Sequence, residues 1–339
     1  MRHQLCKMLG IDIPIILAPM GGAVGPALAA AVSNAGALGT LPLWRSQIET
    51  LRRAVQKTRS LTSKPFAVNL NMEFPQAERL EACLEEGVPV ISFFWRDPGA
   101  LVKRAKAGGA VVMYTVGNAD DARRAVDLGV DIVVAQGWEA GGHVRGTVAT
   151  LPLVPAVVDA VGDAPVIAAG GIADGRGMAA ALALGAAGVW VGTRFLASEE
   201  ASIHPEYQRR VLAATENDTV WCENLFDGGW PNAPHRVLRN STVRDWEAAG
   251  RPPRGRRPGE GVIIAQSEAR GAADRYTSIT PGPDTRGEIE PLSLWSGQSA
   301  ALVRKVQPAA EIVRELNDEA NAILRQLGQQ STTASASPR

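Results

Sequence analysis

Within roughly the first two hundred residues, short apolar, β-branched runs alternate with stretches of helical spacing, and the pair recurs eight times. A strand separated from the next by a helix pairs with it in parallel, since an antiparallel neighbour needs only a hairpin. Strands are expected at Ile13–Ala18, Ala37–Leu41, Phe66–Leu70, Pro89–Phe93, Ala110–Thr115, Asp131–Gln136, Pro165–Ala169 and Gly188–Gly192. Helices are expected at Gly25–Ala35, Ser46–Arg59, Gln76–Glu86, Pro98–Ala107, Asp120–Leu128, Leu151–Val161 and Gly175–Leu184. Eight such units predict an α/β fold, a (β/α)8 TIM barrel at the compact end of its size range. A doubly wound sheet is the alternative, but it usually has fewer strands and a glycine-rich turn after its first.

After the eighth strand the pattern stops. Ile203–Pro291 is rich in Arg, Pro, Gly and Trp and reads as an insertion. Its RPPRGRRP run, Arg251–Pro258, can be neither helix interior nor central strand and is expected to be an exposed loop. Its arginines suggest a phosphate site, with a solvated loop the blander and better-supported reading. From Pro308 an apolar stripe through Ile312, Val313, Leu316, Ala320, Ile323 and Leu327 predicts a helix that packs back on the barrel. The expected organisation is a barrel of 1–202 plus 298–328, a lid of 203–297, and a disordered tail of 329–339. Trp221, Trp230, Trp246 and Trp295 suit a layer that closes over a flat ligand.

Composition narrows the function. Thirty-five Lys and Arg balance thirty-five Asp and Glu, leaving no net field to hold nucleic acid or an anionic membrane. The longest apolar stretch, Ala179–Gly192, is shorter than the roughly 20 residues of a membrane span and is broken by glycines. Asp12 and Pro14 interrupt the only candidate for a signal peptide. Cys6, Cys83 and Cys222 are odd in number and far apart, which fits reduced thiols in a cytoplasm and no metal site. There is no nucleophile elbow and no Walker loop, so hydrolase and kinase readings lack support.

Barrel active sites lie at the carboxyl ends of the strands. Ala169, Gly170 and Gly171 follow the seventh strand, and Gly192 with Thr193 follows the eighth. Glycine lets backbone N–H groups reach phosphate oxygens, and Thr193 adds a hydroxyl; two such turns at adjacent strand ends favour a phosphate site over ordinary tight turns. Ala18, Pro19 and Met20 open the turn after the first strand, where backbone could bond a flat heterocycle and Met20 could pack on its face. Asn69 ends the third strand with a polar amide, which serves either a ring edge or the backbone. The sixth strand runs into QGWEAGGH, placing His143 on a glycine-rich loop as the leading acid or base. Its flanking glycines are expected to leave it without the packing of a structural histidine. Glu139 is a second carboxylate candidate, with a helix-start or salt-bridge role at least as well supported. His204, before Pro205, is a candidate for the rim.

The runs PIILAPMGG, FAVNL, QGWEAGGH, VIAAGGIADGRG and GTRFLASEE, in that order at strand ends, resemble the nitronate monooxygenases, formerly called 2-nitropropane dioxygenases. The likeness covers roughly Ile11–Glu206 and extends to two sister groups, the flavin-dependent enoyl-ACP reductases and an NADH:quinone reductase group. It implies FMN, with Met20 and its backbone at the isoalloxazine, Asn69 and Gln136 at the ring edge, and Gly171, Gly192 and Thr193 at the phosphate. Ala18, Pro19, Thr115, Gly142, Ala169 and Gly170 complete the implied cofactor site, and His143 is the implied catalytic residue. Some relatives carry a lysine where Thr115 stands, and the Arg/Pro-rich insertion also departs from the pattern. The implied reaction is oxidation of an alkyl nitronate with O2: one electron passes to the flavin, and reaction with oxygen releases a carbonyl compound and nitrite. The alternatives are an NAD(P)H-dependent flavin reductase and a catalytically degenerate flavin-binding partner. A small-molecule substrate, a cytoplasmic location and a monomer or homodimer are expected.

Overall fold

The computed structural model describes residues 2–334, with side chains through Gln330. Eight parallel strands form its centre: β1 (Ile15–Leu17), β2 (Gly39–Pro42), β3 (Phe66–Asn71), β4 (Val90–Phe94), β5 (Val111–Val116), β6 (Ile132–Gln136), β7 (Val166–Ala169) and β8 (Gly188–Val191). From β2 to β8 each pairs with its successor in the sequence, and β8 returns to β1 through Ile15↔Val189. Between β1 and β2 a parallel bridge at Ile16↔Leu38 and the bond from Leu17 N–H to Leu38 O (2.9 Å) close the circle. The expected barrel is therefore the observed one, with strand ends shifted by one or two residues.

Before it comes α1 (Arg2–Leu9), and between the strands lie α2 (Pro26–Asn34), α3 (Ile48–Leu61), α4 (Ala77–Glu85), α5 (Ala100–Ala107), α6 (Ala119–Asp127), α7 (Thr150–Val161) and α8 (Gly175–Ala183). Local chemistry sets several starts. Asn118 accepts the Asp121 N–H (2.8 Å) at the head of α6, and Asp174 accepts the Gly177 N–H (3.1 Å) at the head of α8.

Successive side chains on a strand point to opposite faces, and here the two faces form two separate cores. Outward-facing Val68, Ile91, Val112, Val133, Ala168 and Val189 pack under the helices. Inward-facing Ala67, Val90, Met113, Ile132, Ile167 and Trp190 fill the barrel, where Leu5 and Leu9 of α1 join them. Two buried leucines are the reason α1 docks there, and truncating either costs about 2–5 kcal/mol. The sequence reading contained no helix at this place. The same period of two puts Asn69, Thr115 and Gln136 on the inward face, two residues beyond Ala67, Met113 and Val134, at the carboxyl end of the barrel.

The final helix, α11 (Ala309–Ala334), packs against α8 and α2 through Ala309, Ile312, Val313, Leu316 and Ala320. Glu319 accepts the Gly175 N–H (2.7 Å), tying α11 to the start of α8. The helix runs through Ala334, so the tail expected to be disordered from Gln329 is helical through that residue; 335–339 lie outside the described residues. Ser, Thr and Ala in its last turns are tolerated because the helix is already nucleated by its packed half.

Residues 203–297 contain α9 (Pro205–Ala213), α10 (Ser241–Ala248) and two small antiparallel sheets. One joins β9 (Thr219–Cys222), β10 (His235–Leu238) and the pair Gly142–His143 of the loop after β6. The other joins β11 (Ile263–Ser267), β12 (Gly271–Asp274) and Arg286–Gly287. Part of this region packs on its own cluster around Phe226, Val237 and Tyr276. Another part shares a core with the barrel loops, where Tyr207, Leu238 and Leu294 meet Ala23, Ala173 and Leu196. The expectation for Arg251–Pro258 needs correction at one residue. Arg257 is buried, pairs with Asp227 (2.9 Å) and Glu260 (2.6 Å), and lies 4.2 Å from the Tyr276 ring centroid. A proline-rich backbone forms the loop while one of its arginines serves as a core strut.

Among the described residues no helix is long and apolar enough to cross a membrane, and no cluster of His, Cys, Asp or Glu could hold a metal ion.

Candidate active site

A cavity of about 830 Å³ opens at the carboxyl ends of the strands, roofed by residues 228–230, 269–270, 277–280 and 295–299. The residues that the resemblance assigns to the cofactor and to catalysis all line it, from Ala18 to Thr193, whereas Glu139 and His204 do not. The period-two alternation of the strands and the loop positions account for this convergence.

The turns after β7 and β8 carry free donors. Among the described residues, the N–H groups of Gly170, Gly171 and Gly192 have no protein acceptor, and all three residues are only partly covered. Gly170 has φ of 101°, and a Cβ there would stand 2.9 Å from Gly137 O. A Cβ on Gly192 would press on Ala18 Cβ at 3.3 Å and stand 3.7 Å from Met20 Sδ. Thr193 Oγ1 accepts the Gly297 N–H (3.0 Å), which leaves its hydroxyl hydrogen to donate. Two adjacent strand ends thus offer unpaired donors beside a space kept clear of side chains, a donor set that fits a phosphate.

Asn69 donates through Nδ2 to Ser92 Oγ (3.2 Å) and Ser92 O (3.3 Å), and its Oδ1 accepts nothing from the described residues. Gln136 lines the cavity, yet its amide is engaged locally: Nε2 donates to His143 O (3.1 Å) and Oε1 accepts the Arg145 N–H (3.4 Å). It holds the glycine-rich loop against the strand from which it projects. Glu139 caps α7, accepting the Thr150 N–H (2.9 Å) and Thr150 hydroxyl (3.0 Å), so the helix-start reading is the observed one. His204 caps α9 through Nδ1, accepting the Glu206 N–H (3.1 Å), and does not line the cavity.

His143 does line it, in surroundings the flanking glycines did not announce. Its ring stacks on Trp230 at 3.7 Å between centroids and 27° between planes, with Trp295 at 5.1 Å and Trp95 at 6.0 Å. The expectation of an unpacked histidine is therefore wrong, because the packing comes from residues remote in sequence. Its Nε2 is buried without a hydrogen-bond partner among the described residues. Burial first, then the charges of His235 and Arg45, hold its pKa well below the usual histidine value. Burial likewise pushes the neighbouring His235 down to about 4. That ring accepts the Phe226 N–H at Nε2 (3.2 Å) and contacts Ala233 O through Nδ1 (2.8 Å), which assigns the neutral Nδ1–H tautomer.

A family model described as nitronate monooxygenase matches residues 2–78 and 71–319. The chain belongs to the nitronate monooxygenase family. Its relatives include a nitronate monooxygenase of Paraburkholderia phytofirmans, 33% identical over 97% of this chain and 98% of that protein. A protein of Rhodococcus jostii named as a 5-hydroxy-7a-methyl-1-oxo-octahydro-1H-indene-4-carboxyl-CoA dehydrogenase is 41% identical over 74% of this chain and 69% of its own length. Among solved structures, FabK from Thermotoga maritima superposes with a TM-score of 0.80 at 34% identity, covering 96% of this chain and 98% of that one. A nitroalkane oxidase from Streptomyces ansochromogenes superposes with a TM-score of 0.75 at 27% identity, covering 95% and 99%. This member of the nitronate monooxygenase family is accordingly an oxidoreductase on a TIM barrel.

Sequence reasoning missed Arg45, Trp95 and Arg270. Arg45 and Trp95 each follow a barrel strand closely, a signal that the strand-end search could have used. Arg270 and the roof segment 277–280 lie in the insertion, where no periodicity marks which residues face the barrel.

Proposed function

We propose that the protein oxidises alkyl nitronates with O2 to a carbonyl compound and nitrite, using FMN at the barrel mouth. The observation that carries this reading is the set of unpaired N–H groups at Gly170, Gly171 and Gly192 in the same cavity that the ring of His143 lines. Bound FMN supplies the electron acceptor for the nitronate. The β7 and β8 turns and Thr193 would hold its phosphate, Met20 and the backbone beside it would meet the ring, and Asn69 Oδ1 would accept from the ring edge. His143 is neutral at pH 7, so it offers a hydrogen bond to the nitro oxygens of an anionic substrate and a lone pair to the proton of a neutral nitroalkane.

We assign residues 203–297 the role of a lid over the flavin. Trp230 and Trp295 face the cavity, and Thr280 Oγ1 donates to Gly21 O (2.6 Å) from the roof to the β1 turn. A cytoplasmic location follows the same reading and is supported by the three free cysteines.

A second reading, a flavin-dependent reductase or dehydrogenase acting on a thioester or drawing on NAD(P)H, is favoured by the Rhodococcus and Thermotoga relatives. Mass analysis of the flavin released from purified protein tests the shared cofactor. FMN is expected; FAD, or a colourless protein, would remove the basis of both readings.

A further inference from the structure

The cavity contains more positive charge than the flavin reading uses. No Asp or Glu side chain lines it, while two arginines do, Arg45 and Arg270. Several other guanidinium groups meet carboxylates: Arg257 with Asp227 and Glu260, Arg52 with Glu85 and Glu86, Arg145 with Asp121; Arg194 and Arg236 do not, but they are buried outside the cavity lining and bond Gln307 Oε1 and Trp138 O. Among the described residues neither Arg45 nor Arg270 has a carboxylate within ion-pair distance. Both are nevertheless fixed. Arg45 donates to Gly229 O (2.5 Å), and its guanidinium lies 4.6 Å from the Phe74 and 4.9 Å from the Trp44 ring centroid. Arg270 donates to Gly22 O (3.0 Å) and to Thr280 O. Asp284, whose charge acts on Arg270, is itself engaged by Ser267 Oγ (2.6 Å) and the Ala269 N–H (3.0 Å).

Ordering an arginine costs side-chain entropy, and here no carboxylate in direct contact offsets it. Pre-set guanidinium forks of this kind suit an anion that arrives from outside. The two flank one wall: the Trp44 ring packs beside Gly21, and Arg270 holds the carbonyl of Gly22. That wall follows β1 and β2, whereas the cofactor phosphate is assigned to the turns after β7 and β8. Both arginines are also exposed at the rim, where a long ligand would leave the cavity.

We propose that Arg45 and Arg270 form a subsite for the phosphates of an adenosine-diphosphate tail on the second substrate. Such a tail is common to coenzyme A thioesters and NADPH. Two cations on one wall match several negative charges better than the single charge of a nitronate, whose reacting carbon must lie deeper, beside His143. The inference rests on this cavity being the active site, and it gives the second reading above a place for its substrate.

The test is isothermal titration of the protein as purified, with its flavin, using coenzyme A, NADPH and unphosphorylated adenosine as probes. Coenzyme A or NADPH should bind and adenosine should not, and affinity should fall as salt is raised. Arg45→Ala and Arg270→Ala should each weaken binding by about tenfold or more, as expected for loss of a charged hydrogen-bonding group. Arg270→Gln keeps a donor for the carbonyls of Gly22 and Thr280 while removing the charge, and should weaken binding similarly with an unchanged melting temperature. Binding of coenzyme A alone assigns the tail to a thioester, and binding of NADPH alone assigns it to a reductant. Binding of neither, or equal binding by the Arg45→Ala/Arg270→Ala double variant, overturns the proposal. A colourless protein that still binds the tail would sink the flavin reading and leave the subsite standing.

Discussion

Replacing His143 by Asn separates a chemical role from a packing role. The imidazole stacks on Trp230 and tilts against Trp295, and each aromatic contact is worth about 0.5–1.5 kcal/mol beyond area burial. Losing both costs about 1–3 kcal/mol, which a domain stable by about 5–15 kcal/mol survives. Loss of a general base lowers turnover by about 10²–10⁴, equivalent to roughly 3–5 kcal/mol of transition-state stabilisation. The two effects are therefore separable: the variant should fold, stay yellow and fail in catalysis. Its deficit should be large on a neutral nitroalkane and smaller on the preformed nitronate, from which no proton need be taken. Because burial holds the imidazole well below its usual pKa, the base form persists through the neutral range. The wild-type kcat/KM on the neutral substrate should then show no break near about 6.5, the ordinary histidine value. Stopped-flow flavin reduction across pH 5–8, on both substrates and both proteins, is the assay. A break near 6.5, or equal losses on the two substrates together with loss of flavin, would refute the reasoning.

Arg257→Met should destabilise the protein by about 3–5 kcal/mol, since it leaves buried Asp227 without its cation, and urea unfolding of both proteins measures it. Stability should fall on acidification from about pH 6.5 to 4. His235 is held at about 4 in the folded chain, so the unfolded chain takes up its proton first, and the loss amounts to roughly 3 kcal/mol at 1.36 kcal/mol per pKa unit. His143 adds to it in the same direction, and thermal melts across that window should show the melting temperature falling on acidification; a rise would contradict this. Residues 1–202 expressed alone should aggregate or lose flavin, because the apolar faces of α2 and α8 that bury Ile312, Val313 and Leu316 of α11 become exposed; a stable yellow fragment would contradict this.

The barrel was legible because each of its strands is a short apolar run with turn residues at its ends, and the period of two then fixes which side chains face inward. Asn69 and Gln136 stand out as polar residues at strand ends, whereas Thr115 enters only through the family resemblance. What those side chains bond to could not be read from the sequence: the amide of Gln136 is taken up by a loop seven and nine residues downstream. The surroundings of His143 were illegible for a related reason, since Trp230 and Trp295 approach it across the roof from an insertion without periodicity. Arg257 shows the same limit from the other side, a charged residue in a proline-rich loop that becomes a core strut only because Asp227, Glu260 and Tyr276 converge on it.

The claim that this cavity oxidises nitronates through a flavin is tested most directly by anaerobic mixing of the purified protein with propyl nitronate, and separately with NADH, while the flavin absorbance is followed. Bleaching by the nitronate, followed on admission of O2 by recovery of the oxidised spectrum and release of nitrite, is the predicted result. Bleaching by NADH with none by the nitronate would contradict the account and assign the site to the reductase reading.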